Sequence, residues 1–196
     1  MPFFKYLDQY SDITDITFRD RARFAPMDKL SQRLMRGQSP LSSAEKEIIA
    51  AYVSGLNECD FCYGSHQAVA ENFGVSPEII EALLDDIDTT DIADKLKPIL
   101  HYVKKLTLTP SKLVQADVDQ VLQAGWSQQA LYDAICIGCL FNFYNRLLDG
   151  HGIKGNDNIY QLGGQHLHKN GYGVPWFIKY IKHTLRKRKI KQLQTM

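Results

Sequence analysis

The apolar residues of this chain recur at the spacing of α-helix turns, and this periodicity limits the fold more than any other feature of the sequence. The first clear stripe contains Ile48, Ile49, Tyr52, Val53 and Leu56. A sustained alternation of apolar and polar residues, the pattern of a half-buried strand, does not occur. With 196 residues, of which 44% are hydrophobic, the chain is long enough for one domain with a proper core. The sequence therefore predicts an all-α, single-domain protein.

Capping residues and helix breakers divide the chain into helical segments. Ser42 and Glu45 have the spacing of a capping box, so a helix is predicted to begin there and to end near Asn57. The next helix is predicted from about Cys59 to Phe73. Further helices are predicted at 28–36, after Ser76-Pro77, at 91–107 with a late start or a kink at Pro98, at 114–124, at 128–148 behind the cap Ser127, and from Trp176 onward.

Three regions follow from this division. Residues 1–40 are expected to form an N-terminal arm with short helices, because residues 1–30 mix Phe, Asp and Arg without sustained periodicity. Residues 41–152 are expected to form the helical core. Residues 153–196 are expected to form a Gly-rich loop and a basic C-terminal helix, since residues 152–175 contain six Gly and one Pro.

The charge of the chain is unevenly placed. The formal net charge is +1, but residues 171–196 contain seven Lys/Arg and no Asp/Glu, which leaves 23 − 7 = 16 basic against 22 acidic residues before them. A basic tail can contact nucleic acid or acidic lipid. We interpret this one as a solvated helix face whose aromatic side, with Trp176, Phe177 and Tyr180, packs on a neighbouring subunit. The sequence thus predicts neither a nucleic-acid nor a membrane partner.

The cysteines indicate a reducing compartment. No apolar run approaches the roughly 18 to 20 residues of a membrane span, and the N-terminus lacks the basic start and apolar segment of a secretory signal. Four cysteines without an export signal are not typical of a disulfide framework. We therefore expect a cytoplasmic protein, in which paired thiols indicate redox chemistry or metal binding.

Cys59 and Cys62 form a CxxC motif, and His66 follows four residues later. On one helix these three residues lie at i, i+3 and i+7, which is one face. A helix start favours a thiolate, and two thiols at this spacing can perform thiol–disulfide exchange, in which one attacks and the other resolves. His66 offers the base that an attacking thiol needs. A buried structural pair of cysteines remains an alternative.

Metal binding is a second alternative for these cysteines. Cys59, Cys62 and His66 offer three ligands, and a further CxxC occurs at Cys136 and Cys139. The 73 residues between the two pairs exceed the usual spacing of a zinc module, and the second pair lies in an apolar run, which predicts buried core cysteines. Haem attachment requires His directly after the second Cys, where this chain has Tyr63. We predict no metal and no cofactor.

The acid that would assist the thiols is harder to choose. Glu45 and Glu47 both precede the apolar stripe, and either is compatible with a solvated first-turn position. Glu47 shares a helix face with Ala51 and Ser54, small residues that allow another helix to approach closely. This pattern favours Glu47 as the buried acid.

The stretch LSSAEKEIIAAYVSGLNECDFCYGSHQ resembles the core of the alkylhydroperoxidase AhpD-like family, which shares its fold with carboxymuconolactone decarboxylases. The family pattern has a Glu twelve residues before a CxxC and a His four residues after it, which Glu47, Cys59, Cys62 and His66 match. The stretch AGWSQQALYDAICIGCLFNFYNRLLDGHG is similar to a second block of the peroxidase-related branch, notably at Asn142, Asn145, Arg146 and Asp149. The resemblance covers about residues 25–155.

This resemblance implies an AhpD-like orthogonal helical bundle and a haem-free thiol peroxidase that acts on a hydroperoxide and is restored by an unknown dithiol reductant. By the same resemblance, Cys62 is the peroxidatic thiol, Cys59 resolves it, and Glu47 with His66 relays the proton through water. Some members have His where this chain has Phe61, and lactone decarboxylases of this fold lack the redox cysteines. The family usually forms trimers or hexamers.

Three further expectations concern function and the second block. The same dithiol also suits a protein disulfide oxidoreductase or redox sensor, and a structural CxxC suits a non-catalytic oligomeric protein. On their shared helix, Arg146 and Asp149 lie at i, i+3, so we expect them to pair as a structural contact.

Overall fold

The structure is a computed structural model that describes residues 1–194. Within that range the chain forms helices and no strand, so the all-α prediction is confirmed. The helices are α1 Ile13–Arg19, α2 Arg21–Arg36, α3 Ser43–Leu56, α4 Asp60–Asn72, α5 Pro77–Asp85, α6 Lys97–Leu108, α7 Gln115–Gln123, α8 Gln128–Asp149, α9 Asp157–Asn170 and α10 Trp176–Gln194, with a 3₁₀ turn at Pro110–Lys112. In residues 1–194, none of these helices has both the length and the apolar character of a membrane span.

Helix α3 is the centre of the fold. Every side chain from Lys46 to Ser54 is buried, because α4, α6 and α8 surround the helix. A helix that is enclosed on all sides places even its polar residues in the interior, where each needs a partner. The ammonium of Lys46 accordingly donates to the Gly37 carbonyl at 2.8 Å. Burial of Glu47 follows from the same position.

A tight turn connects α3 to α4 and sets where the CxxC motif begins. The Cys59 amide donates to the Ser54 carbonyl at 3.0 Å and the Glu58 amide to the Gly55 carbonyl at 2.9 Å, which is a Schellman motif. This motif needs a left-handed residue, and Glu58 supplies it with φ 56°. The turn places Cys59 at the N-cap of α4.

Most of the predicted helix starts are confirmed. Ser42 and Glu45 form a reciprocal capping box, and Ser127 accepts the amide of Ala130 at the start of α8. Pro98 is the second residue of α6, so the proline delays the start of this helix rather than kinking it.

The expected loop after residue 152 is wrong, because much of it forms α9. Asn156 caps this helix by accepting the Ile159 amide. Gly164 faces α4 so closely that a Cβ there would lie 2.9 Å from the Ala68 backbone. The glycines that indicated a loop therefore include one that allows two helices to touch.

Residues 1–30 also differ from the expected arm. They form α1 and most of α2, a helix of 16 residues, and their side chains Ile16 and Phe24 are buried in one cluster with Cys59 and Cys62. This segment is part of the body of the protein and forms one wall around the CxxC motif.

The two ends of the described chain meet. Asp12, the cap of α1, accepts a hydrogen bond from Arg186 of α10, and His183 lies 3.2 Å from Asp15. Lys187 adds an ion pair with Asp15 at 3.3 Å. Much of the basic charge predicted for a solvated face therefore holds α10 against α1.

Candidate active site

The CxxC motif occupies the first turn of α4. Cys59 is the N-cap and Cys62 is the third helical residue, where unpaired amide groups and the helix dipole favour negative charge. Both thiols are buried and free, and no disulfide joins them. The Cys59 thiol approaches the Asn145 carbonyl at 3.8 Å.

Burial opposes the ionisation of Cys62. Loss of solvent raises the pKa of the Cys62 thiol well above its usual range, and the adjacent Cys59 thiol raises it further. A hydrogen bond with the side chain of Asn145 acts in the opposite direction. The resting thiol is therefore neutral near pH 7, and its reaction as a nucleophile requires a base that accepts the proton.

Glu47 stands at the centre of a buried network behind the thiols. Its carboxylate is 2.7 Å from Nδ1 of His66 and 2.7 Å from the Arg36 guanidinium. The Tyr172 hydroxyl donates to the same carboxylate at 2.9 Å. The side chain of Glu47 has no exposed area, whereas Glu45 caps α3 near the surface. The choice of Glu47 as the buried acid is thus confirmed.

The charge state of this network follows from its contacts. Burial alone raises the pKa of Glu47, but the hydrogen bond from His66 and the positive charge of Arg36 outweigh it and lower the pKa below its usual value. Burial and the nearby Glu47 charge raise the pKa of Tyr172 well above its usual range, so its hydroxyl remains a donor. A buried carboxylate is compatible with a stable fold only when it is paired in this way.

His66 connects this network to the thiols. It lies one helical turn after Cys62 on the same face of α4, and Phe141 packs edge-on against its ring at 4.3 Å between centroids. Because Nδ1 bonds Glu47, Nε2 is the ring nitrogen left for a second partner. The contact with Phe141 fixes the orientation of the ring.

Cys62 and His66 line the same cavity, which has a volume of about 410 Å³. Tyr144 of α8 and Tyr172 also reach its wall. Among the described residues, Cys59 does not belong to the lining, and its side chain is fully buried behind that of Cys62. Of the two cysteines, Cys62 is the one that a small molecule in this cavity meets.

A second polar network supports the thiols from the side of α8. Asn145 is fully buried, donates to the Ser54 hydroxyl at 2.9 Å and accepts from Asn57 at 2.9 Å. The predicted pair between Arg146 and Asp149 is not the contact that forms: Arg146 donates to Asn142 at 2.9 Å.

Asp149 lies next to the Cys59 thiol instead. Burial raises the pKa of this carboxyl, and a hydrogen bond with the Cys59 thiol partly offsets that effect. An acid of raised pKa next to Cys59 is suited to exchange a proton with it.

The sequence did not reveal Arg36 or Tyr172. Arg36 is the last residue of α2, a weakly periodic helix, and Tyr172 follows the glycine that ends α9, where no periodicity applies. Both reach Glu47 only through the tertiary fold.

The second CxxC motif differs from its prediction as buried core. Cys139 is exposed and Cys136 is partly exposed, because they lie on the outer side of α8. The potential metal ligands that converge within residues 1–194 are Asp12, Asp15 and His183 rather than any cysteine. Arg186 and Lys187 pair with these carboxylates, so the cluster is an ion-pair network.

Comparison with known proteins identifies the chain's relatives. Residues 24–104 match the sequence model of the carboxymuconolactone decarboxylase family. The uncharacterized protein YdfG of Bacillus subtilis (strain 168) is 26% identical over 110 residues, which are 56% of this chain and 75% of that protein.

Two crystal structures share the fold. An uncharacterized peroxidase-related protein from Silicibacter sp. TM1040 has a TM-score of 0.70 at 22% identity over 76% of this chain and 78% of that chain. An alkylhydroperoxidase AhpD core protein from Ralstonia eutropha JMP134, also called peroxidase-related, has a TM-score of 0.69 at 20% identity over the same shares. Identities this low establish the shared fold alone.

The helical architecture around the CxxC helix is therefore the AhpD-like fold, as the sequence predicted. Within residues 24–104 the chain is thus similar to the carboxymuconolactone decarboxylase family, in agreement with the resemblance seen in the sequence.

Proposed function

We propose that this protein is a thiol-dependent hydroperoxide reductase that works in the reducing cytoplasm. One observation carries the proposal: Cys62 and His66 line one cavity, and the buried Glu47 holds the imidazole at 2.7 Å. A thiol whose pKa is raised by burial needs such a base, and a base oriented by a carboxylate is the arrangement that activates nucleophiles in enzymes.

The first step uses the sulfur of Cys62. Nε2 of His66, directly or through one water, accepts the thiol proton while Glu47 stabilises the resulting imidazolium. The thiolate attacks the terminal oxygen of the hydroperoxide, the O–O bond breaks, and the alkoxide leaves as an alcohol after it takes the proton from His66. Cys62 is then a sulfenic acid.

The second step uses Cys59. Its thiol attacks the Cys62 sulfur, the sulfenic hydroxyl leaves as water, and a disulfide forms between the two cysteines. Asp149, next to the Cys59 thiol, accepts the thiol proton as this attack begins, and the proton then passes to the leaving hydroxyl, which departs as water. A dithiol reductant supplies two electrons and two protons, restores both thiols and leaves as a disulfide.

The burial of the thiols supports a small peroxide rather than a protein disulfide as the substrate. Exchange with a protein disulfide requires in-line access to the attacking sulfur, whereas Cys62 is 3% exposed and Cys59 is fully buried. A hydroperoxide can enter the cavity and reach Cys62 without such access.

The experiment is a thiol titration before and after one equivalent of tert-butyl hydroperoxide, with mass spectrometry to locate any disulfide. We expect the loss of two thiols and a bridge between Cys59 and Cys62. Cys62→Ser should abolish peroxide consumption, and Cys59→Ser should allow one turnover and stop at the sulfenic acid. The control is Cys139→Ser, an exposed cysteine away from the cavity, which should behave as the wild type. Full activity of Cys62→Ser removes the proposal.

We also propose that the protein self-associates, as a trimer or hexamer, through α10. Five large apolar side chains on this helix are more than half exposed in the single chain: Trp176, Phe177, Tyr180, Ile181 and Leu185. An exposed apolar stripe of this size is typical of a protein–protein contact. Light scattering after gel filtration tests it, with Tyr180→Glu expected to give monomers; an unchanged mass for that variant contradicts the proposal.

A further inference from the structure

The cavity above Cys62 combines an apolar interior with a charged opening. Its inner wall is formed by apolar side chains from α4, α8 and α9, including Phe61, Phe141, Leu148, Ile159 and Leu162. Its volume of about 410 Å³ lies within the range of small-molecule sites, roughly 300–1,000 Å³. A substrate that fills it buries an alkyl portion.

Cations of α10 stand at the opening of this cavity. The lining includes Lys179, Lys182, Arg186 and Lys189, of which Lys189 is exposed and the others are partly exposed. Cys62 and His66, in contrast, are both buried. The reacting sulfur therefore lies at the closed part of the cavity and the positive charges lie at its open part.

The charges around the cavity do not balance. Its two carboxylates already have partners, since Asp28 pairs with Lys179 at 2.8 Å and Asp12 pairs with Arg186. Lys182 donates to the side-chain oxygen of Asn170, a neutral group. Within residues 1–194, neither Lys182 nor Lys189 has a carboxylate partner. Two positive charges are thus left to meet an anion at the opening.

The pKa of His166, which lines the cavity, is affected by the same positive charges. Burial first, and then the charges of Arg186, Lys182 and Lys179, lower the pKa of His166 to about 4. His166 is therefore neutral near pH 7 and adds a hydrogen-bonding group rather than a charge. A field that disfavours a cation at this place favours an anion there.

We propose that the substrate of this site is a long-chain carboxylate hydroperoxide, whose alkyl chain fills the apolar cavity while its carboxylate meets Lys182 and Lys189. The inference rests on the proposed function and deepens it. Cys62 reduces the peroxide group of such a molecule by the two steps above, which convert the hydroperoxide to a hydroxy acid and water while Cys59 and Cys62 become a disulfide.

The experiment compares three substrates on the full-length protein: a hydroperoxide of an eighteen-carbon unsaturated acid below its aggregation concentration, the methyl ester of that hydroperoxide, and tert-butyl hydroperoxide. We expect the highest kcat/KM for the acid, followed by its ester. Binding of the unreactive hydroxy acid and of its ester is measured alongside by calorimetry. Equal affinity for the acid and its ester overturns the assignment of the charged opening.

Substitutions test whether Lys182 and Lys189 bind the carboxylate specifically or act only through the overall positive charge of α10. Lys182→Gln and Lys189→Gln should each weaken binding of the hydroxy acid about two- to five-fold, the range of partly exposed ion pairs, and leave binding of the ester unchanged. The matched control is Arg188→Gln, an exposed cation adjacent to Lys189 on the same helix but outside the lining. If Arg188→Gln weakens binding as much as Lys189→Gln does, the specific site is wrong.

The proposed function and this inference can fail separately. If tert-butyl hydroperoxide and the long-chain substrates all remain unreduced, the peroxidase proposal fails, while the calorimetry still decides whether a long-chain carboxylate binds. If tert-butyl hydroperoxide is reduced and the hydroxy acid does not bind, the peroxidase remains and the substrate assignment is overturned.

Discussion

The substitution Glu47→Gln tests the buried network most directly. Gln keeps the shape of the side chain but removes the negative charge that faces Arg36 and His66 at 2.7 Å each. The Arg36 side chain is only 12% exposed, so its charge is left with little solvent. Removing one partner of a buried ion pair typically costs about 3–5 kcal/mol. Because Gln retains a hydrogen-bonding oxygen, we expect the lower end of this range.

The expected loss can be measured by thermal unfolding. In a chain of this size, each kcal/mol shifts Tm by about 2–4 °C, so about 3 kcal/mol lowers Tm by roughly 6–12 °C. The control is Glu45→Gln, two residues earlier on α3, because Gln can replace Glu in a capping box. A Tm for Glu47→Gln within about 2 °C of the control would refute the reasoning.

The pH dependence of the same variant has a defined sign. Since the pKa of Glu47 is lowered in the folded protein, its contribution to stability is present above the usual carboxyl pKa and is lost as pH falls through the lowered value. The difference in unfolding free energy between wild type and Glu47→Gln should therefore stay constant above about pH 5 and shrink in acid. A difference that grows in acid contradicts the assigned charge state.

The pH dependence of the reaction rate of Glu47→Gln distinguishes a role in proton transfer from a purely structural role of Glu47. Without Glu47, the imidazole of His66 loses the carboxylate that makes it a better base. We expect sulfenic acid formation on Cys62 to slow by about 100-fold near pH 7, the lower end of general acid–base contributions. The rate should recover as pH rises, because hydroxide then replaces the base. A variant that is slow by the same factor at every pH indicates lost structure only.

Three further substitutions test the fold around the site. Burial lowers the pKa of His183, but its hydrogen bonds with two aspartates outweigh burial and raise the pKa to about 9. The stability that His183 contributes should therefore be full below about pH 6.5 and be lost as pH rises through 9. A difference in Tm between wild type and His183→Gln that does not shrink over that range contradicts this assignment. Glu58→Gly should raise stability by about 0.5–1 kcal/mol in denaturant unfolding, because glycine adopts a φ of 56° without strain, and a loss of stability would count against the turn. Gly164→Ala should lower the free energy of unfolding by about 1–3 kcal/mol, since the added Cβ meets the α4 backbone at 2.9 Å. The control Gly163→Ala meets nothing within 4 Å and should not destabilise the protein. Equal effects of the two substitutions would contradict the contact between α9 and α4.

Local spacing explains which parts of the site the sequence could predict. Cys59, Cys62 and His66 occupy one helix, and the capping box that starts α3 fixes the position of Glu47, so helix geometry alone places them on defined faces. The resemblance to a known family added their roles. Helix geometry alone did not place Glu47 next to His66, since that contact depends on how α3 packs against α4.

The features that the sequence did not predict depend on tertiary contacts. Arg36 and Tyr172 approach Glu47 from positions 11 residues before it and 125 residues after it. Helix α9 was missed because Gly163 and Gly164 are typical of loops, yet Gly164 is where α9 touches α4. The exposure of Cys139 was not predicted because its sequence neighbours are apolar. Those neighbours lie on the buried face of α8, whereas Cys139 lies on its outer face.

The groups proposed for the thiol chemistry and those proposed for substrate binding come from different parts of the chain. Residues 24–104, which match the family model, contain Glu47, the CxxC motif and His66, the groups to which we assign the thiol chemistry in the proposed reaction. Tyr172, which donates to the buried Glu47, and the cations of α10 at the opening of the cavity lie outside that segment. A protein that shares only the matched segment can share the thiol chemistry while it takes a different substrate. The C-terminal helix, held to α1 by Arg186 and His183, is therefore where we expect the substrate preference of this chain to be determined.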